Sequence, residues 1–235
     1  MFFEIFNNLT EAEKDVAVKG LISESTPRHD FFLMMILSVL MAACGLLINS
    51  SAVIIRSMLI APLLSPILSL SLGVVMSDYK LITRSFYVIV KSVAFSLTAA
   101  AVLAIFFLPQ GYGITSEITA RTNTSIIYFI IAVLAGAAAS FAYIKPQLNK
   151  TLPGIAIAVA LIPPLSVSGI GIAMLDWNII SKSFSLFLIN IVGIVFASMV
   201  VFSLMNLYMK RTLAEKAIDK EDRKIEREVA KDREQ

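Results

Sequence analysis

The sequence has few of the residues from which enzyme sites and metal centres are usually built. It contains one cysteine and one histidine among 235 residues, which excludes a disulfide framework and any metal cluster made of these two residue types. Between residues 31 and 209 it has only three acids, Asp78, Glu117 and Asp176. Metal-assisted hydrolysis and Ser–His–Asp chemistry need more clustered groups than this. We therefore expect no enzyme activity, catalytic residue, metal or cofactor; a Ser–Lys pair built on Lys91 is the one arrangement left open.

Charge is also scarce through the middle of the chain. The 179 residues from 31 to 209 hold 11 of the 37 charged side chains, eight basic and three acidic, whereas 17 fall in the last 26 residues. With a mean hydropathy of +0.82 and 57% hydrophobic residues, the chain has more apolar surface than a soluble core of this size can bury. Because the basic excess lies in the apolar middle, the sequence predicts a lipid bilayer, and no nucleic acid, as partner.

Six apolar stretches have the length of a membrane crossing, since about 20 helical residues span the ~30 Å hydrocarbon layer. They lie at about 31–49, 53–77, 82–108, 125–144, 153–175 and 184–208. Backbone amides find no water in lipid, so each stretch is expected to be a helix. The predicted fold class is all-α, a polytopic bundle of six transmembrane helices.

This pattern divides the chain into three regions. Residues 1–30 are predicted to form an amphipathic helix and linker, because Thr10 and Glu13 match a capping box. Residues 31–208 form the six-helix domain. Residues 209–235 are highly charged and are predicted to be a solvated, frayed helix.

Basic residues are distributed unevenly between the two sides of the predicted bundle. One side would carry Lys14, Lys19, Arg28, Lys80, Arg84, Lys145, Lys150, Lys210 and Arg211, and the other only Arg56, Arg121 and Lys182. Cytoplasmic loops of membrane proteins are enriched in Lys and Arg. The pattern therefore predicts a multi-pass protein of the cell membrane with both termini in the cytoplasm.

The chain also contains an approximate internal repeat. MLIAPLLSPILSLSLG at 58–73 resembles ALIPPLSVSGIGIA at 160–173, with an offset of 102 residues between their Leu-Ile-x-Pro motifs. Two further pairs have offsets of 94 and 98 residues: 36–43 with 130–137, and 83–86 with 181–184. The halves, about 31–108 and 125–208, would each hold three spans, so the second would be inverted in the membrane. Inverted repeats of this kind recur in secondary transporters.

Prolines fall near the centres of the second and fifth predicted spans. Pro62 and Pro66 lie in the second, and Pro163 and Pro164 in the fifth. A proline inside a helix removes a hydrogen bond and clashes with the preceding turn, at a cost of ~3 kcal/mol or more. We therefore predict two helices broken near the membrane centre. The alternative is a simple kink in each helix, with no ligand.

A helix that restarts inside the bundle would point free N–H groups and the positive end of its dipole inwards. Ser65 is the predicted cap of the first restart, with Pro66 at its first helical position. Ser166 or Ser168 would cap the second. These residues are therefore candidate ligand contacts.

Two cations lie within the predicted spans without a comparably deep acid. Lys91 is about nine residues, or ~14 Å, into the third span, and Arg56 is near the start of the second. Buried charges are costly and usually functional, so the pair favours an anionic ligand. Alternatively, Arg56 extends to the lipid headgroups and Lys91 has a structural partner. Three further candidates, Ser69, Asn49 and Asn190, could instead hydrogen-bond between helices.

The loop before the fourth span carries Glu117 and Arg121, four residues apart. On a helical turn they would form an ion pair worth ~0.2–0.5 kcal/mol. The pair is either a local stabilising contact or part of a polar gate over a pathway.

Three segments together resemble a known family: GLLINSSAVIIRSMLIAPLLSPI (45–67), SEITARTNTS (116–125) and PGIAIAVALIPPLSVSGIGIA (153–173). They are similar to the prokaryotic integral membrane proteins known as the "uncharacterized hydrophobic domain" family, a domain of unknown function. The similarity extends over about residues 25–208. Arg56 stands where the family pattern usually has a small residue. The resemblance implies a membrane location and no particular activity.

Three functions fit these observations. The first is a transporter or channel-like protein for a small, anionic solute, bound near the membrane centre at the broken helices. The second is a membrane-embedded binding or sensor protein for a phosphate-bearing ligand, such as a nucleotide or lipid headgroup, without transport. The third is a structural partner that acts through its charged ends. In each case the small-residue helix faces favour a homo-oligomer.

Overall fold

The computed structural model describes residues 10–108, 113–145, 147–148 and 160–233, with side chains as far as residue 228, and all regular structure within them is helical. The helices are α1 Glu11–Glu24, α2 His29–Leu47, α3 Ser51–Met58, α4 Leu64–Met76, α5 Tyr79–Phe107, α6 Ser116–Ala120, α7 Ile126–Ile144, α8 Ile162–Met174, α9 Trp177–Leu204, a 3₁₀ turn Leu207–Lys210, and α10 Arg211–Arg233. The predicted all-α fold is confirmed.

Four of these helices are long and apolar enough to cross a membrane: α2, α5, α7 and α9. The apolar helices α4 and α8 have 13 residues each, which at 1.5 Å per residue is ~20 Å and shorter than the hydrocarbon layer. The prediction of six membrane-length helices is therefore wrong for the described residues, which hold four. The second predicted span contains two helices, α3 and α4. Part of the fifth, residues 153–159, lies outside the described residues.

The predicted amino-terminal helix begins at the expected capping box. The hydroxyl of Thr10 accepts a hydrogen bond from the Glu13 amide at 3.3 Å, and the Glu13 carboxylate accepts one from the Thr10 amide at 2.8 Å. The apolar face of α1 is buried at Val18, Leu21 and Ile22. This burial fixes α1 against the bundle.

Two pairs of helices are joined by the same turn. After α4, Ser77 adopts a left-handed φ of 52°, and Asp78 caps α5 by accepting a hydrogen bond from the Leu81 amide. After α8, Leu175 adopts a φ of 55°, and Asp176 caps α9 in the same way. The two turns are 98 residues apart in the sequence.

A glycine one turn before each cap lets the second helix approach the first. A Cβ atom on Gly73 would lie 3.0 Å from the backbone nitrogen of Ile82, and one on Gly171 would lie 3.2 Å from that of Ile180. The turn between α2 and α3 repeats the arrangement, with Gly45 beside Ile54. GLLINSSAVI, GVVMSDYKLI and GIAMLDWNII share this glycine, a Ser or Asp five residues later, and an isoleucine nine residues later.

The longer helices recur in the same order and with nearly the same lengths. Helices α2, α4 and α5 have 19, 13 and 29 residues, and α7, α8 and α9 have 19, 13 and 28. They begin at residues 29, 64 and 79, and again at 126, 162 and 177. In this register Pro66 and Pro164 are each the third residue of their helix, whereas the sequence match at offset 102 paired Pro62 with Pro164.

The first set of helices (α2, α4 and α5) and the second set (α7, α8 and α9) pack on each other, with the short helix of each set against the last long helix of the other. Helix α8 packs on α5 and α4 packs on α9. The contact of α8 with α5 is close, because a Cβ on Gly169 would lie 2.5 Å from the Cβ of Ala100. The sets are therefore interlocked rather than side by side.

The carboxyl-terminal helix α10 is docked, so the prediction of a solvated, frayed helix is wrong over residues 211–228. It packs on α1 and buries Ala214 and Ile218 completely. Ion pairs also tie it to the bundle: Lys80–Asp219 at 2.7 Å, Arg28–Glu221 at 2.8 Å, and Arg84–Asp222. We call this end of the bundle the α10 end, and the opposite end, where α6 lies, the α6 end.

Candidate functional site

A cavity of about 180 Å³ lies where α8 begins. It is enclosed by residues from α3, α6, α7, α8 and α9 and the segments between them. The lining residues are Met58, Ala120, Arg121, Tyr128, Ala160, Pro163, Pro164, Leu186 and Asn190. The cavity therefore joins one predicted loop residue, Arg121, and one predicted ligand contact, Asn190, to the proline-bearing start of α8.

The start of α8 has an unusual shortage of hydrogen-bond donors. Its first three residues are Ile162, Pro163 and Pro164, and a proline has no N–H group. The helix start still carries the positive end of the helix dipole. It has, however, two fewer free amide N–H groups than an ordinary helix start. An anion at this position would need donors from other side chains.

The predicted serine caps of α8 are wrong. The hydroxyls of Ser166 and Ser168 donate to the carbonyls of Ile162 at 3.0 Å and Pro164 at 2.9 Å, both within the helix. The helix begins before Pro163 rather than after Pro164. Proline is well tolerated in a first helical turn, so these prolines fit the start of α8 and do not postpone it.

Asn190 closes the inner wall of the cavity. Its side chain is buried, with 5% exposed, and its Nδ2 donates to the carbonyl of Ala160 at 3.3 Å. Because Pro164 has no N–H, this carbonyl has no partner four residues ahead. The Asn190 amide takes that role, so it links the middle of α9 to the segment that leads into α8.

Arg121 supplies the positive charge at the cavity. Its guanidinium forms the predicted ion pair with the Glu117 carboxylate and also donates to the Glu117 carbonyl at 2.6 Å. Glu117 accepts a further hydrogen bond from the hydroxyl of Ser51. That hydrogen bond, together with the charge of Arg121, lowers the pKa of Glu117 from its ordinary value. The guanidinium is thus held at the cavity by an ionised carboxylate.

Asn49 holds α6, and hence Arg121, in place. Its Oδ1 accepts hydrogen bonds from the Ser116 hydroxyl at 2.9 Å and the Glu117 amide at 3.1 Å. The hydroxyl of Thr115 donates to the carbonyl of Leu46 at 2.7 Å. These contacts fasten the loop helix to the α2–α3 turn. Asn49 therefore anchors α6 and is not among the residues that line the cavity.

Lys91 lies elsewhere. Its ammonium is 4.6 Å from the ring centroid of Phe32, 5.7 Å from that of Phe95 and 5.8 Å from that of Tyr87. Aromatic faces attract a cation, so these rings provide Lys91 with a structural partner. Lys91 is not among the residues that line the cavity.

The remaining candidates also lie outside the cavity. Arg56 is exposed on α3. The hydroxyl of Ser65 donates to the Glu24 carboxylate of α1 at 3.0 Å, and Ser69 accepts a hydrogen bond from Ser25 at 3.1 Å. The cap position of α4 is Leu63, so Ser65 and Pro66 are the second and third residues of the helix rather than its cap and first residue.

Tyr128 and Met58 are cavity residues that the sequence did not indicate. Tyr128 lies in the first turn of α7, and Met58 is the last residue of α3. No charge, spacing or motif distinguishes either of them in the sequence. Only the meeting of five segments from distant parts of the chain brings them together.

Comparison with known proteins places the cavity within the region that a family model matches. Residues 58–196 match the family described as a domain of unknown function, DUF389. The chain belongs to this family. The match includes every residue that lines the cavity. It confirms the expected membership in an uncharacterized domain family.

One relative of this DUF389 protein is the uncharacterized protein MJ0678 of Methanocaldococcus jannaschii. It is 34% identical over 174 residues, which are 73% of this chain and 52% of the relative. The chain therefore spans about half the length of that relative. No solved structure matches.

Proposed function

We propose that this protein is a membrane transporter or channel-like protein for a small, anionic solute, which binds in the cavity at the start of α8. The observation that carries the proposal is the convergence of Arg121, the amide of Asn190 and the positive end of α8 on one space. Charge-assisted hydrogen bonds from a guanidinium are typical of carboxylate and phosphate recognition. The two prolines of α8 make these side-chain donors necessary.

The size of the cavity favours a small solute over a nucleotide. Its volume of about 180 Å³ is below the ~300–1,000 Å³ of typical small-molecule pockets. An inorganic anion or a short carboxylate fits this space. This comparison favours the transporter over a nucleotide sensor, the alternative that the sequence also allowed.

The order of the helices supports an inverted repeat. In the first half, the crossing between the two long helices would be built from two shorter helices. Helices α3 and α4 have 8 and 13 residues, together ~31 Å at 1.5 Å per residue, which is the thickness of the hydrocarbon layer. The chain between them contains Pro62. Transporters with inverted repeats bind solutes at such interrupted helices.

The charges support an orientation with the α10 end in the cytoplasm of the cell. The basic residues Arg28, Lys80, Arg84 and Lys210 all form ion pairs at that end. Arg121 lies at the α6 end, beside Asn49 and the α2–α3 turn. An excess of basic residues on one side is typical of the cytoplasmic side.

The proposal is tested by reconstituting the purified protein in liposomes and measuring the uptake of phosphate, sulfate, chloride and acetate. We expect at least one of these anions to enter faster than in protein-free liposomes. Arg121→Gln should lower that flux about 10- to 100-fold, because hydrogen bonds to charged groups contribute ~1.5–3 kcal/mol. Arg121→Lys should keep part of it.

Lys182→Gln is the matched control, because Lys182 is an exposed cation outside the cavity. Its flux should equal that of the unmodified protein. Saturable anion binding that depends on Arg121, without flux, would replace transport by the binding or sensor function. Neither binding nor flux for any of the four anions would overturn the proposal.

A further inference from the structure

Helix α10 has its charges sorted by face. Three of its acids turn towards the bundle and pair with basic residues there. The pairs are Asp219 with Lys80, Glu221 with Arg28, and Asp222 with Arg84. Three of the seven acids of α10 are therefore neutralised by basic residues of the bundle.

Basic residues of α10 also lie beside α1. Lys216 and Lys220 of α10 and Lys19 of α1 line a groove of about 640 Å³ between the two helices. Within the part of the chain that the structure describes, these three lysines form no ion pair. The basic surface continues along α10 through Arg223 and Arg227. The acid Glu221 also lines the groove, and its carboxylate is already paired with Arg28. Among the described residues the groove therefore carries three lysines that form no ion pair.

The floor of the groove is apolar. It is made by Val16 and Gly20 of α1 and by Leu213 and Ala217 of α10. Val16 is 68% exposed. An apolar floor between lysines matches an amphiphilic anion, in which a charged group is joined to a hydrocarbon portion.

We infer that the groove between α1 and α10 binds the headgroup of an anionic phospholipid of the surrounding membrane. Lys19, Lys216 and Lys220 hold the phosphate, and the apolar floor receives the glycerol and the first methylenes. The inference depends on the membrane location and not on transport, so it stands apart from the solute cavity.

Two observations favour a phospholipid over a nucleotide. The residues that line the groove include no aromatic side chain on which a base could stack. The groove also lies at the α10 end, where the spanning helix α9 leads through the 3₁₀ turn Leu207–Lys210 into α10. Basic segments at this position next to a spanning helix are typical of contacts with anionic lipids.

The test uses the full chain in a neutral detergent and titrates it with dioctanoyl phosphatidylglycerol, dioctanoyl phosphatidylcholine, inorganic phosphate or AMP. Native mass spectrometry counts the bound molecules and gives their affinity. We expect the phosphatidylglycerol to bind at least tenfold more tightly than the phosphatidylcholine, which has the same acyl chains without net charge. Phosphate and AMP should not displace it at equal concentration.

The variant Lys216→Gln/Lys220→Gln should lose at least tenfold in affinity for phosphatidylglycerol. Arg56→Gln/Lys182→Gln removes two exposed cations outside the groove and should bind as the unmodified protein does. If the first variant fails to fold, Val16→Glu places a negative charge on an exposed part of the floor and should weaken binding as well. Equal binding of the two lipids, displacement by phosphate or AMP, or full affinity in the groove variants would overturn the assignment.

Discussion

The starts of α4 and α8 have the same local structure in different surroundings. Each helix has 13 residues and a proline at its third position, Pro66 or Pro164, and leads through a left-handed residue into a long helix. The start of α4 is covered by α1, through Ser65 with Glu24 and the contact of Ser69 with α1. The start of α8 lines the 180 Å³ cavity. The local sequence thus determines the helix start, whereas the packing of a remote segment determines whether a site exists there.

The long helices differ at the matching position. Asn190 of α9 reaches across to the Ala160 carbonyl at 3.3 Å. The residue 98 positions earlier is Ser92 of α5, which donates to the Val88 carbonyl of its own helix at 2.7 Å. The Asn190 side chain is long enough to form a hydrogen bond outside its own helix, and it adds a polar group to the cavity wall. The shorter Ser92 side chain bonds only within its own helix.

The largest expected effect comes from locking α1 onto α4. The hydroxyl oxygens of Ser25 and Ser69 are 3.1 Å apart, so cysteines at these positions are within reach of a disulfide. In a Cys44→Ala background, oxidised Ser25→Cys/Ser69→Cys should lose at least tenfold in anion flux. In the proposed transporter, two inverted halves would exchange their conformations during each cycle, so the start of α4 would have to open in turn.

Reductant on the same vesicles is the control and should restore the flux. If the unmodified protein transports and the disulfide leaves its flux unchanged, then α1 stays in place over the start of α4 during transport. The comparison of α4 with α8 would then concern stability alone.

The next largest effect is a difference in the free energy of unfolding between variants at Asn190 and Ser92. Asn190→Ala should lower the free energy of unfolding by about 1–3 kcal/mol, because it leaves the part-buried Ala160 carbonyl without its side-chain partner. Ser92→Ala should cost less than ~1 kcal/mol, because its hydroxyl only back-bonds within a helix that is already satisfied. Denaturant unfolding of the two variants in detergent measures both values, and equal losses would contradict the distinction.

A smaller effect concerns the turn that both halves share. Leu175 has a φ of 55° and is 89% exposed, so its side chain gains little packing in a conformation that costs ~1–2 kcal/mol for an L-residue. Leu175→Gly should therefore raise the free energy of unfolding by about 1 kcal/mol, and Ser77→Gly by a similar amount.

Val74→Gly, in the regular part of α4, is the control for this change. It should lower the stability by about 0.5–1 kcal/mol, because glycine is unfavourable inside a helix. A loss of stability in Leu175→Gly as well would show that the leucine side chain, rather than the backbone, supports the turn.

The smallest effect is the pH dependence of α6 docking. The pKa of Glu117 is lowered in the folded protein, mainly by the hydrogen bond from Ser51. Its contribution to stability is therefore fully present above the ordinary glutamate pKa and is lost as the pH falls through the lowered folded value. We therefore expect the free energy of unfolding to fall in acid, below the ordinary glutamate pKa, and Glu117→Gln to remove most of this pH dependence; denaturant unfolding at a series of pH values measures both.

Much of the fold could be predicted from the sequence because its signals are local. The apolar stretches identified the helical bundle, Thr10 and Glu13 marked the start of α1, and the spacing of Glu117 and Arg121 predicted their ion pair. The number of membrane-length helices was wrong because an apolar run reports hydrophobicity, and α3 and α4 form two helices within one run. The predictions of serine caps at the starts of α4 and α8 failed for a similar reason, since prolines fit a first turn as well as a break.

The candidate site could be predicted only in part. Residues 91 and 92 are neighbours, and their depth along α5 can be counted, but the rotation of the helix decides that Lys91 meets Phe32 while Ser92 is buried. The cavity depends on contacts between residues far apart in the sequence, such as Asn190 with Ala160. The docking of α10 depends likewise on Lys80 and Asp219, which are 139 residues apart. No local sequence pattern predicts contacts between residues so far apart in the chain.

The ties of α10 also have a consequence for biosynthesis. Its acidic residues hold Arg28, which precedes α2, together with Lys80 and Arg84 at the beginning of α5. The ribosome makes α10 after every helix that it connects, so its acids can find their partners only after those helices have been synthesised. Docking of α10 would therefore follow the synthesis of those helices, and a chain stalled before residue 211 would leave three basic side chains without their acidic partners.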